Sequence, residues 1–464
     1  MNKKLIFQNV KGWYIVYFGF ILMLRAIGPF LLLPTKVDTL LFWPAGIIGC
    51  LLLLSDVGLS IKEKKYKKYD LFLILFILSM IISSIMNIKY GYSENIKLLM
   101  WQIIFFFIVF QFGKDYGKTF FIKIFSIVLS IVWFINNVAS LYMFLIQYGI
   151  KIPIQYKYYP VRLGWLGNRL FGVYTDPNFG AVISLIVLIL GLYYLINVKL
   201  NWILRSMIII NMFIQFSFIA LSGSRTTLVC LLVATFAFAF FSVYSMSNFK
   251  NNYLKKWLLA TIVSLISVFG MYILNDVTAH TWAHVPQMIE AKKEKTSTTS
   301  APNSDSNNKV DLTRPDTESG DISNLRFKLW ESSIEIFKSN PISGGSPGYY
   351  IQYAHDKLPN NFMGQDNLTA HSFIFLIMAA TGGLGLVTFF IFFILQCYKA
   401  LRYCFMQRDL IKNENFYSVI IVLTIAISAL FITELVLVST IGAFTFWAYL
   451  GTLQKTISTN NKNI

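Results

Sequence analysis

Three arginines stand out in this 464-residue sequence because each lies beside or between long apolar segments. Arg169 precedes one such segment, Arg225 begins another in the short turn LSGSRTTLV, and Arg326 lies in an amphipathic stretch. A guanidinium matches phosphate oxygens with two parallel hydrogen bonds, so arginines that converge at a membrane surface would suit a lipid-linked phosphate. The alternative stays open that each arginine reaches towards water or pairs with an acid such as Asp176 or Glu331.

Two further ionisable residues could carry chemistry. His371 opens a long apolar segment, and a histidine with its near-neutral pKa could accept a proton from a hydroxyl group; the alternative is a helix-start residue that only faces water. Glu434 lies near the outer end of another apolar segment, where it could add a carboxylate or pair with an arginine. His280 and His284 have the spacing of a helical metal pair, but two ligands are too few to predict a zinc site.

The composition indicates that membrane helices must position these residues. Hydrophobic residues make up 56% of the chain and charged residues 13%, and the mean hydropathy is +0.60. Soluble proteins average about 25% charged residues. The net charge of +18 comes from short runs between apolar segments, which argues against a nucleic-acid partner. The four cysteines indicate no disulfide framework.

Twelve segments are long and apolar enough to be membrane helices. They lie near 13–33, 38–55, 70–88, 96–113, 119–148, 178–197, 202–220, 226–247, 257–275, 371–398, 416–434 and 440–454. Lys and Arg are concentrated in the connectors that are inside when the N-terminus is cytoplasmic, so the positive-inside rule places both termini in the cytoplasm. The sequence therefore predicts an all-α integral membrane protein with about twelve transmembrane helices and one large extracellular loop.

The predicted chain has three parts. Residues 1–275 hold nine spans and a smaller outer loop near 149–177, residues 276–370 form the large extracellular loop, and residues 371–464 hold three spans and a cytoplasmic tail. Within the large loop, residues 276–320 have few large apolar side chains and are predicted to be disordered. Residues 322–339 have the periodicity of an amphipathic helix, which would lie along the membrane surface or cap the bundle.

Taken in order, these motifs resemble the superfamily of O-antigen ligases and oligosaccharide-unit polymerases, which are bacterial membrane glycosyltransferases. The resemblance covers roughly Arg169 to Leu386. It rests on GNRLFGVYTDPNFGA, the LSGSRTTLV turn, Arg326 and Trp330 in the large loop, Asn340-Pro341, Gly344-Gly345, His371 and the Gly382–Gly385 segment. The chain departs from the family pattern at Ser372, where Asn is common, and at GGSPG, where Gly-Val-Gly is common.

The resemblance implies a donor glycan on undecaprenyl pyrophosphate, an acceptor glycan, and a site on the outer face of a bacterial cytoplasmic membrane. It implies no cofactor, metal or nucleotide. Arg225, Arg326 and Arg169 would hold the pyrophosphate, and His371 would orient or deprotonate the acceptor hydroxyl. Asn178, Trp330 and Glu434 are candidate supporting residues. Tyr156, Tyr158, Tyr159 and Trp165 could stack on sugars or form an interfacial aromatic belt.

The favoured function is a polymerase that joins lipid-linked repeat units into a surface or capsular polysaccharide, with a flippase and a chain-length regulator as candidate partners. A ligase that transfers glycan to a lipid, protein or cell-wall acceptor is the second candidate, because the motifs do not separate the two. A lipid-linked sugar transporter or flippase also fits twelve spans. A transporter should carry ionisable residues near mid-membrane, and Arg25 in the first span keeps that alternative open.

Overall fold

The computed structural model describes residues 3–64, 68–116, 120–154, 160–246, 252–296, 309–314 and 325–460. The first ten helices are α1 (Lys3–Arg25), α2 (Gly28–Leu31), α3 (Thr35–Lys62), α4 (Leu71–Met86), α5 (Tyr92–Ile104), α6 (Gln111–Tyr116), α7 (Phe120–Leu145), α8 (Pro177–Asn197), α9 (Trp202–Leu221) and α10 (Arg225–Met246). The remainder are α11 (Tyr253–Thr296), α12 (Arg326–Ser339), α13 (Tyr350–Lys357), α14 (Phe362–Asp366), α15 (Phe373–Met406), α16 (Glu414–Ser428) and α17 (Ile441–Asn460).

Nine helical stretches within the described ranges are long and apolar enough to cross a membrane: α1, α3, α5 with α6, α7, α8, α9, α10, α11 and α15. The remaining predicted spans, near 70–88, 416–434 and 440–454, coincide with α4, α16 and α17. The all-α membrane class is therefore confirmed, and the number of helices that cross the membrane stays a prediction.

Aromatic side chains fill the centre of the bundle around α17. Trp447 is fully buried, and its ring centroid lies 4.6 Å from that of Phe106 and 5.8 Å from that of Phe110. Both phenylalanines belong to a π-helical segment, Phe105–Phe110, between α5 and α6. Such edge-to-face contacts stabilise a core beyond simple burial. The membrane helices are thus joined into one packed unit that can hold polar groups at its ends.

The predicted outer loop near 149–177 contains a three-stranded antiparallel sheet that the sequence analysis missed. Its strands β1 (Gly149–Ile152), β2 (Val161–Leu166) and β3 (Arg169–Gly172) lie in that order. Gly167 and Asn168 each have a φ of +55° and form the two-residue turn between β2 and β3. Tight hairpins of this kind require positive φ at both central residues, which Gly and Asn tolerate best. The turn therefore fixes where β3 begins.

One aromatic residue of this region can be placed and three cannot. Trp165 of β2 packs edge-on against Phe144 of α7, with ring centroids 4.9 Å apart. That contact attaches the sheet to the bundle. Tyr156, Tyr158 and Tyr159 lie outside the described residues.

The prediction of disorder over 276–320 is wrong for its first part. Residues 276–296 continue α11 without interruption, and Trp282 packs edge-on against a phenylalanine of α7. Extending an existing helix avoids the unfavourable nucleation step, so even polar residues can remain helical there. Residues 297–308 and 315–320 lie outside the described residues.

A second piece of the predicted disordered stretch, residues 309–314, is also docked on the fold. The amide of Val310 donates to the carbonyl of Ala283 at 3.1 Å. The side-chain amide of Asn168 donates to the carbonyl of Thr313 at 2.7 Å. The tip of the β2–β3 hairpin and helix α11 therefore hold this short segment between them.

Helix α15 is broken by a loop that follows α12. Gly382 has φ +64° and ψ −158°, which interrupts the helical hydrogen bonding. The loop supplies the missing partners, because the Gly383 amide donates to the Pro341 carbonyl and the Gly345 amide donates to the Ala379 carbonyl, each at 2.8 Å. These hydrogen bonds, called the interlock below, fix the end of α12 against α15. Arg326 begins α12 and His371 just precedes α15, so the interlock also fixes the two elements on which these residues depend.

Candidate functional site

The turn between α9 and α10, residues 222–226, lies at the centre of the candidate site. Gly223 has a φ of +57°, which lets the chain reverse within three residues. The Ser224 hydroxyl accepts a hydrogen bond from the amide of Thr227 at 3.1 Å and so caps α10. Arg225 is therefore the first residue of α10, where the positive end of the helix dipole favours an anion.

The β2–β3 hairpin brings Arg169 to this turn. Its Nε donates to the Ser222 carbonyl at 3.0 Å, and its Nη2 donates to Asn178 Oδ1 at 3.1 Å. Asn178 Oδ1 also accepts a hydrogen bond from the Ser224 hydroxyl at 2.8 Å. The predicted supporting residue Asn178 thus connects the start of α8 with both arginine-bearing elements.

Helix α12 brings Arg326 to the same turn. The amphipathic helix predicted over 322–339 is α12, described from Arg326 onwards. Arg326 Nη2 donates to the Thr226 hydroxyl at 3.2 Å, and its guanidinium carbon lies 5.6 Å from the ring centroid of Phe431. A guanidinium near an aromatic ring gains a favourable cation–π contact. The structure therefore brings together all three arginines that the sequence singled out.

A fourth arginine, Arg314, reaches the turn and was missed by the sequence analysis. Its Nη1 donates to the Gly223 carbonyl at 2.7 Å. The docked segment 309–314 positions it, and the only local signal was a pair of apolar residues, Val310 and Leu312, in an otherwise polar stretch. Arg169, Arg225, Arg314 and Arg326 are called the arginine cluster below.

The arginine cluster concentrates positive charge in a half-buried place. Burial, followed by the charges of Arg225 and Arg314, lowers the pKa of Arg326, and the carboxylate of Asp176 opposes that shift. Arginine nevertheless stays protonated in proteins, so the mutual repulsion persists. An anion with several oxygens, such as a phosphate or pyrophosphate, would relieve it and match the guanidinium geometry.

His371 lies within electrostatic range of Arg326 and has an uncommon backbone conformation, with a φ of +45°. The next residues are anchored, because the amide of Phe373 donates to the carbonyl of Ala429 at 2.8 Å. Burial lowers the pKa of the His371 imidazole, the Asp176 carboxylate raises it, and Arg326 lowers it further. The net effect is a neutral imidazole near pH 7, which is the form that can accept a proton.

Glu434 occupies a different position from the predicted one. Helix α16 ends at Ser428 and not near 434, so Glu434 lies in the connector to α17. The side chain is fully buried, with Oε2 accepting a hydrogen bond from the Ser428 hydroxyl at 2.9 Å. Within the described residues Oε1 has no hydrogen-bond partner, so the pairing with an arginine is not seen. Burial raises the pKa of Glu434 to about 8, and the charge of Asp176 adds to the rise.

Trp330 serves the site through packing. Its ring stacks on that of Phe375 with the centroids 5.0 Å apart and the planes 11° apart. This stack joins α12 to α15 and so helps to fix Arg326 relative to His371. Within the described residues the indole N–H is buried without a hydrogen-bond partner.

The two candidate metal-binding histidines lie on α11, which carries none of the arginines of the cluster. His280 and His284 are exposed on α11, and His280 Nε2 lies 3.6 Å from an oxygen of Asp276. In the part of the chain that the structure describes, no group of three or more His, Cys, Asp or Glu side chains is close enough to hold a metal ion.

Comparison with known proteins relates one region of the chain to a known family. A family model described as O-antigen ligase matches residues 210–390, from within α9 to within α15. The match includes Arg225, Arg314, Arg326 and His371 and begins after Arg169. A search of curated proteins found no match. The resemblance of this chain to the O-antigen ligase superfamily is thus confirmed over residues 210–390.

Proposed function

We propose that this protein polymerises oligosaccharide repeat units, carried on undecaprenyl pyrophosphate, into a surface or capsular polysaccharide. The family match supports a membrane enzyme that transfers glycan. One observation carries the proposal further: a single turn, residues 222–226, contains or contacts all four members of the arginine cluster. A histidine with a lowered pKa lies within electrostatic range of that cluster.

In the proposed reaction the arginine cluster holds the pyrophosphate of the donor. The acceptor hydroxyl oxygen attacks the anomeric carbon of the donor sugar, and the bond between that carbon and the pyrophosphate oxygen breaks. The electron pair leaves with the pyrophosphate, so negative charge develops at that oxygen. Preorganised guanidinium groups stabilise this charge more in the transition state than in the ground state, which lowers the barrier.

The acceptor hydroxyl loses its proton in the same reaction, and His371 is the proposed recipient. A neutral imidazole is needed, so the rate should fall as the pH falls through the pKa of His371. Because burial lowers that pKa, activity should persist to a more acidic pH than an ordinary histidine would allow. Asp176 lies within electrostatic range and would stabilise the imidazolium that forms.

The transporter alternative rested on its fit to twelve spans and on Arg25, and the surroundings of Arg25 do not add to it. Arg25 is the last residue of α1, and its Nε and Nη2 donate to the two carboxylate oxygens of Asp38 at 2.9 and 2.6 Å. Its guanidinium carbon also lies 3.4 Å from the ring centroid of Phe42. The pairing with Asp38 accounts for an arginine at this helix end, so Arg25 does not favour a transport path.

The test is polymer formation by the purified full chain from lipid-linked repeat units, with EDTA present throughout. Arg225→Lys should lose activity, since a point charge does not replace a planar fork. His371→Asn should lower the rate about 100-fold or more, the scale of general base catalysis. Arg205→Lys, at an exposed position at the start of α9, is the matched control and should be unaffected.

Each other outcome has a defined meaning. The catalytic assignment would be overturned if Arg225→Lys and His371→Asn both formed near-normal amounts of product. Size-exclusion chromatography would show that both proteins are folded. A single transfer to a non-glycan acceptor, without a ladder of products, would assign the protein as a ligase. Product that formed only when EDTA was left out would mean that the reaction requires a metal, and would return attention to His280 and His284.

A further inference from the structure

The loop between α12 and α13 is fixed against the turn that joins α4 to α5. The side-chain amide of Asn87 donates to the carbonyl of Gly344 at 3.0 Å, and Asn95 Oδ1 accepts a hydrogen bond from the amide of Gly348 at 2.8 Å. Both asparagines are buried, so water does not compete for these hydrogen bonds. The loop and the helix that follows it, α13, therefore present a rigid surface.

Tyr349, the last residue of this loop, lies on that surface with one face of its ring covered. A Cβ built on Gly91 would lie 2.2, 2.5 and 2.8 Å from three successive ring carbons of Tyr349. Such similar distances place Gly91 under the face of the ring and not at its edge. Tyr349 nevertheless remains 38% exposed, so the ring offers its other face to the surroundings.

Two polar side chains continue from Tyr349 along α13. Gln352 and Asp356 follow it by three and seven residues, a spacing that puts all three on one face of a helix. The Gln352 side-chain amide donates to Asp356 Oδ1 at 2.8 Å, which orders both groups. Seven helical residues span about 10 Å. Tyr349, Gln352 and Asp356 are called the α13 row below.

The chemistry of the α13 row matches a sugar chain. A pyranose ring has a face of C–H groups with partial positive charge, which the negative face of an aromatic ring attracts. Its hydroxyl groups can donate to a carboxylate or exchange hydrogen bonds with an amide. A carboxylate can accept about four hydrogen bonds, so Gln352 and the neighbouring His355 leave Asp356 further capacity. A phosphate would instead be repelled by Asp356, which argues against a lipid headgroup.

The α13 row also lies next to the segment that carries His371. Tyr350, directly after Tyr349, is buried, and its hydroxyl interacts with the backbone of Ala370 through a hydrogen bond. Ala370 immediately precedes His371. A glycan with one end at His371 could therefore continue along the α13 row.

We propose that the α13 row binds the glycan chain beyond the sugar that reacts and so retains the growing polysaccharide between successive transfers. A sugar ring stacks on the open face of Tyr349, and hydroxyl groups of the chain bond to Gln352 and Asp356. The retention of a growing chain rests on the polymerase function proposed above, whereas glycan binding by the row can be measured without it.

The first test is the length of the polymer that the purified full chain forms from lipid-linked repeat units, compared at equal consumption of donor. Tyr349→Ala should weaken glycan binding about five-fold, the scale of one aromatic contact, and so shift the products to shorter chains. Tyr349→Phe keeps the ring and should form chains of the original length. Tyr142→Ala, at an exposed tyrosine in the last turn of α7, is the matched control and should not shorten the chains.

Direct binding separates a failure of this proposal from a failure of the proposed reaction. Lipid-free fragments of two or more repeat units, cut from the surface polysaccharide of the native host by mild acid, would be titrated against the full chain in detergent. Saturation-transfer-difference NMR spectroscopy would measure the affinity. Tyr349→Ala should bind the fragments about five-fold more weakly, and so should Asp356→Ala, which changes an exposed side chain and guards against misfolding.

The outcomes divide clearly. A protein that formed no polymer but bound the fragments through Tyr349 would keep the glycan-binding row and refute the proposed reaction. Polymer of unchanged length, together with unchanged fragment affinity in Tyr349→Ala, would refute the row while the reaction stood. Equal effects of Tyr349→Ala and Tyr142→Ala would also refute it, because Tyr349 would then be one more member of an interfacial aromatic belt.

Discussion

At the residue level, the arginine cluster is held in place by the protein's own backbone. Arg169 donates to the carbonyl of Ser222, and Arg314 donates to the carbonyl of Gly223. A guanidinium has several N–H donors in a rigid plane, so one backbone bond orients the whole group. Side chains that are ordered in advance lose less entropy when an anion arrives, which raises its affinity. This order in advance supports the proposal that the cluster binds an anion of fixed shape.

Arg314 provides the first test of this view. Arg314→Ala should raise the KM for the lipid-linked donor about ten-fold, the usual scale for one charge-assisted hydrogen bond, with a smaller change in kcat. Lys309→Ala is the matched control, because Lys309 is an exposed cation in the same docked segment. Initial rates measured against donor concentration provide both constants. Equal KM values for the two variants would remove Arg314 from the donor site.

Glu434 leads to a prediction about stability and pH. Its pKa rises from about 4.5 in the unfolded chain to about 8 in the folded protein, because the carboxyl is buried. The folded state therefore keeps a proton that the unfolded state loses, and stability falls as the pH rises from about 4.5 through about 8. Glu434→Gln removes this proton-linked effect. The unfolding temperature in detergent should drop less between pH 5 and pH 8 for this variant than for the unmodified protein.

The control for that measurement is Glu331→Gln, which changes an exposed carboxylate on α12. Its pH dependence should follow that of the unmodified protein. Equal slopes for Glu434→Gln and the unmodified protein would mean that Glu434 is ionised when folded.

The sequence identified residues that have a local marker. Arg225 stands in a turn too short to leave the bundle, and His371 opens an apolar segment, so neighbouring residues alone draw attention to both. Arg314 has no such marker, because its position depends on docking against the β2–β3 hairpin and α11. Asp176 influences Arg326 and His371 from another element, and only the folded chain brings these three together.

At the level of elements, the break in α15 explains why glycines occur in pairs on both sides of it. A Cβ built on Gly382 would lie 2.5 Å from the Ile342 carbonyl oxygen, and one on Gly344 would lie 2.7 Å from the Ala379 carbonyl oxygen. Backbone can approach this closely only where no side chain intervenes. The loop after α12 is thereby inserted into α15, and α12 takes a fixed position over the site.

Gly382→Ala should therefore destabilise the protein by about 1–3 kcal/mol, since alanine at positive φ is strained and its methyl group would clash with backbone. Gly270→Ala in α11 is the control. Its Cβ would meet none of the described atoms within 4 Å, and alanine favours a helix by about 0.5–1 kcal/mol. Thermal unfolding in one detergent should separate the two variants in opposite directions. A Gly382→Ala protein as stable as the original would show that the interlock is not rigid.

Helices were predictable and the sheet was not, for a physical reason. Each membrane helix satisfies its own backbone and is marked by its own apolar residues, so a local reading finds it. The strands contain only four or six residues and pair with one another, so their pattern is weak until the hairpin closes. The sequence signal for the hairpin was the Gly167-Asn168 pair, two residues that tolerate the positive φ of a tight turn. The extension of α11 to Thr296 likewise depends on a helix begun elsewhere.

At the level of the whole molecule, the two ends of the bundle carry different chemistry. The arginine cluster lies at one end. At the other, the fully buried Lys11 lies 3.0 Å from Asp56, which also binds Lys68 and accepts a hydrogen bond from Tyr69 at 2.8 Å. Lys68 also lies 3.5 Å from Asp115, so this network joins α1, α3 and α6. Removing one partner of such a buried pair would cost about 3–5 kcal/mol.

This polarity makes the orientation of the bundle testable. Lys and Arg are concentrated in the connectors at the end that carries Lys11, so the positive-inside rule places that end in the cytoplasm. The arginine cluster and His371 then face the outside, where an undecaprenyl-linked donor could reach them from the outer leaflet.

Alkaline phosphatase, which is active only after export, should be active when fused after Asn303 and inactive when fused after Lys65. Green fluorescent protein at the same two positions should give the reverse pattern, and a fusion after Lys250 should match the one after Lys65. If both reporters placed Asn303 and Lys65 on the same side, the predicted arrangement of twelve spans would be wrong, and the arginine cluster would have to receive its donor from the cytoplasmic leaflet.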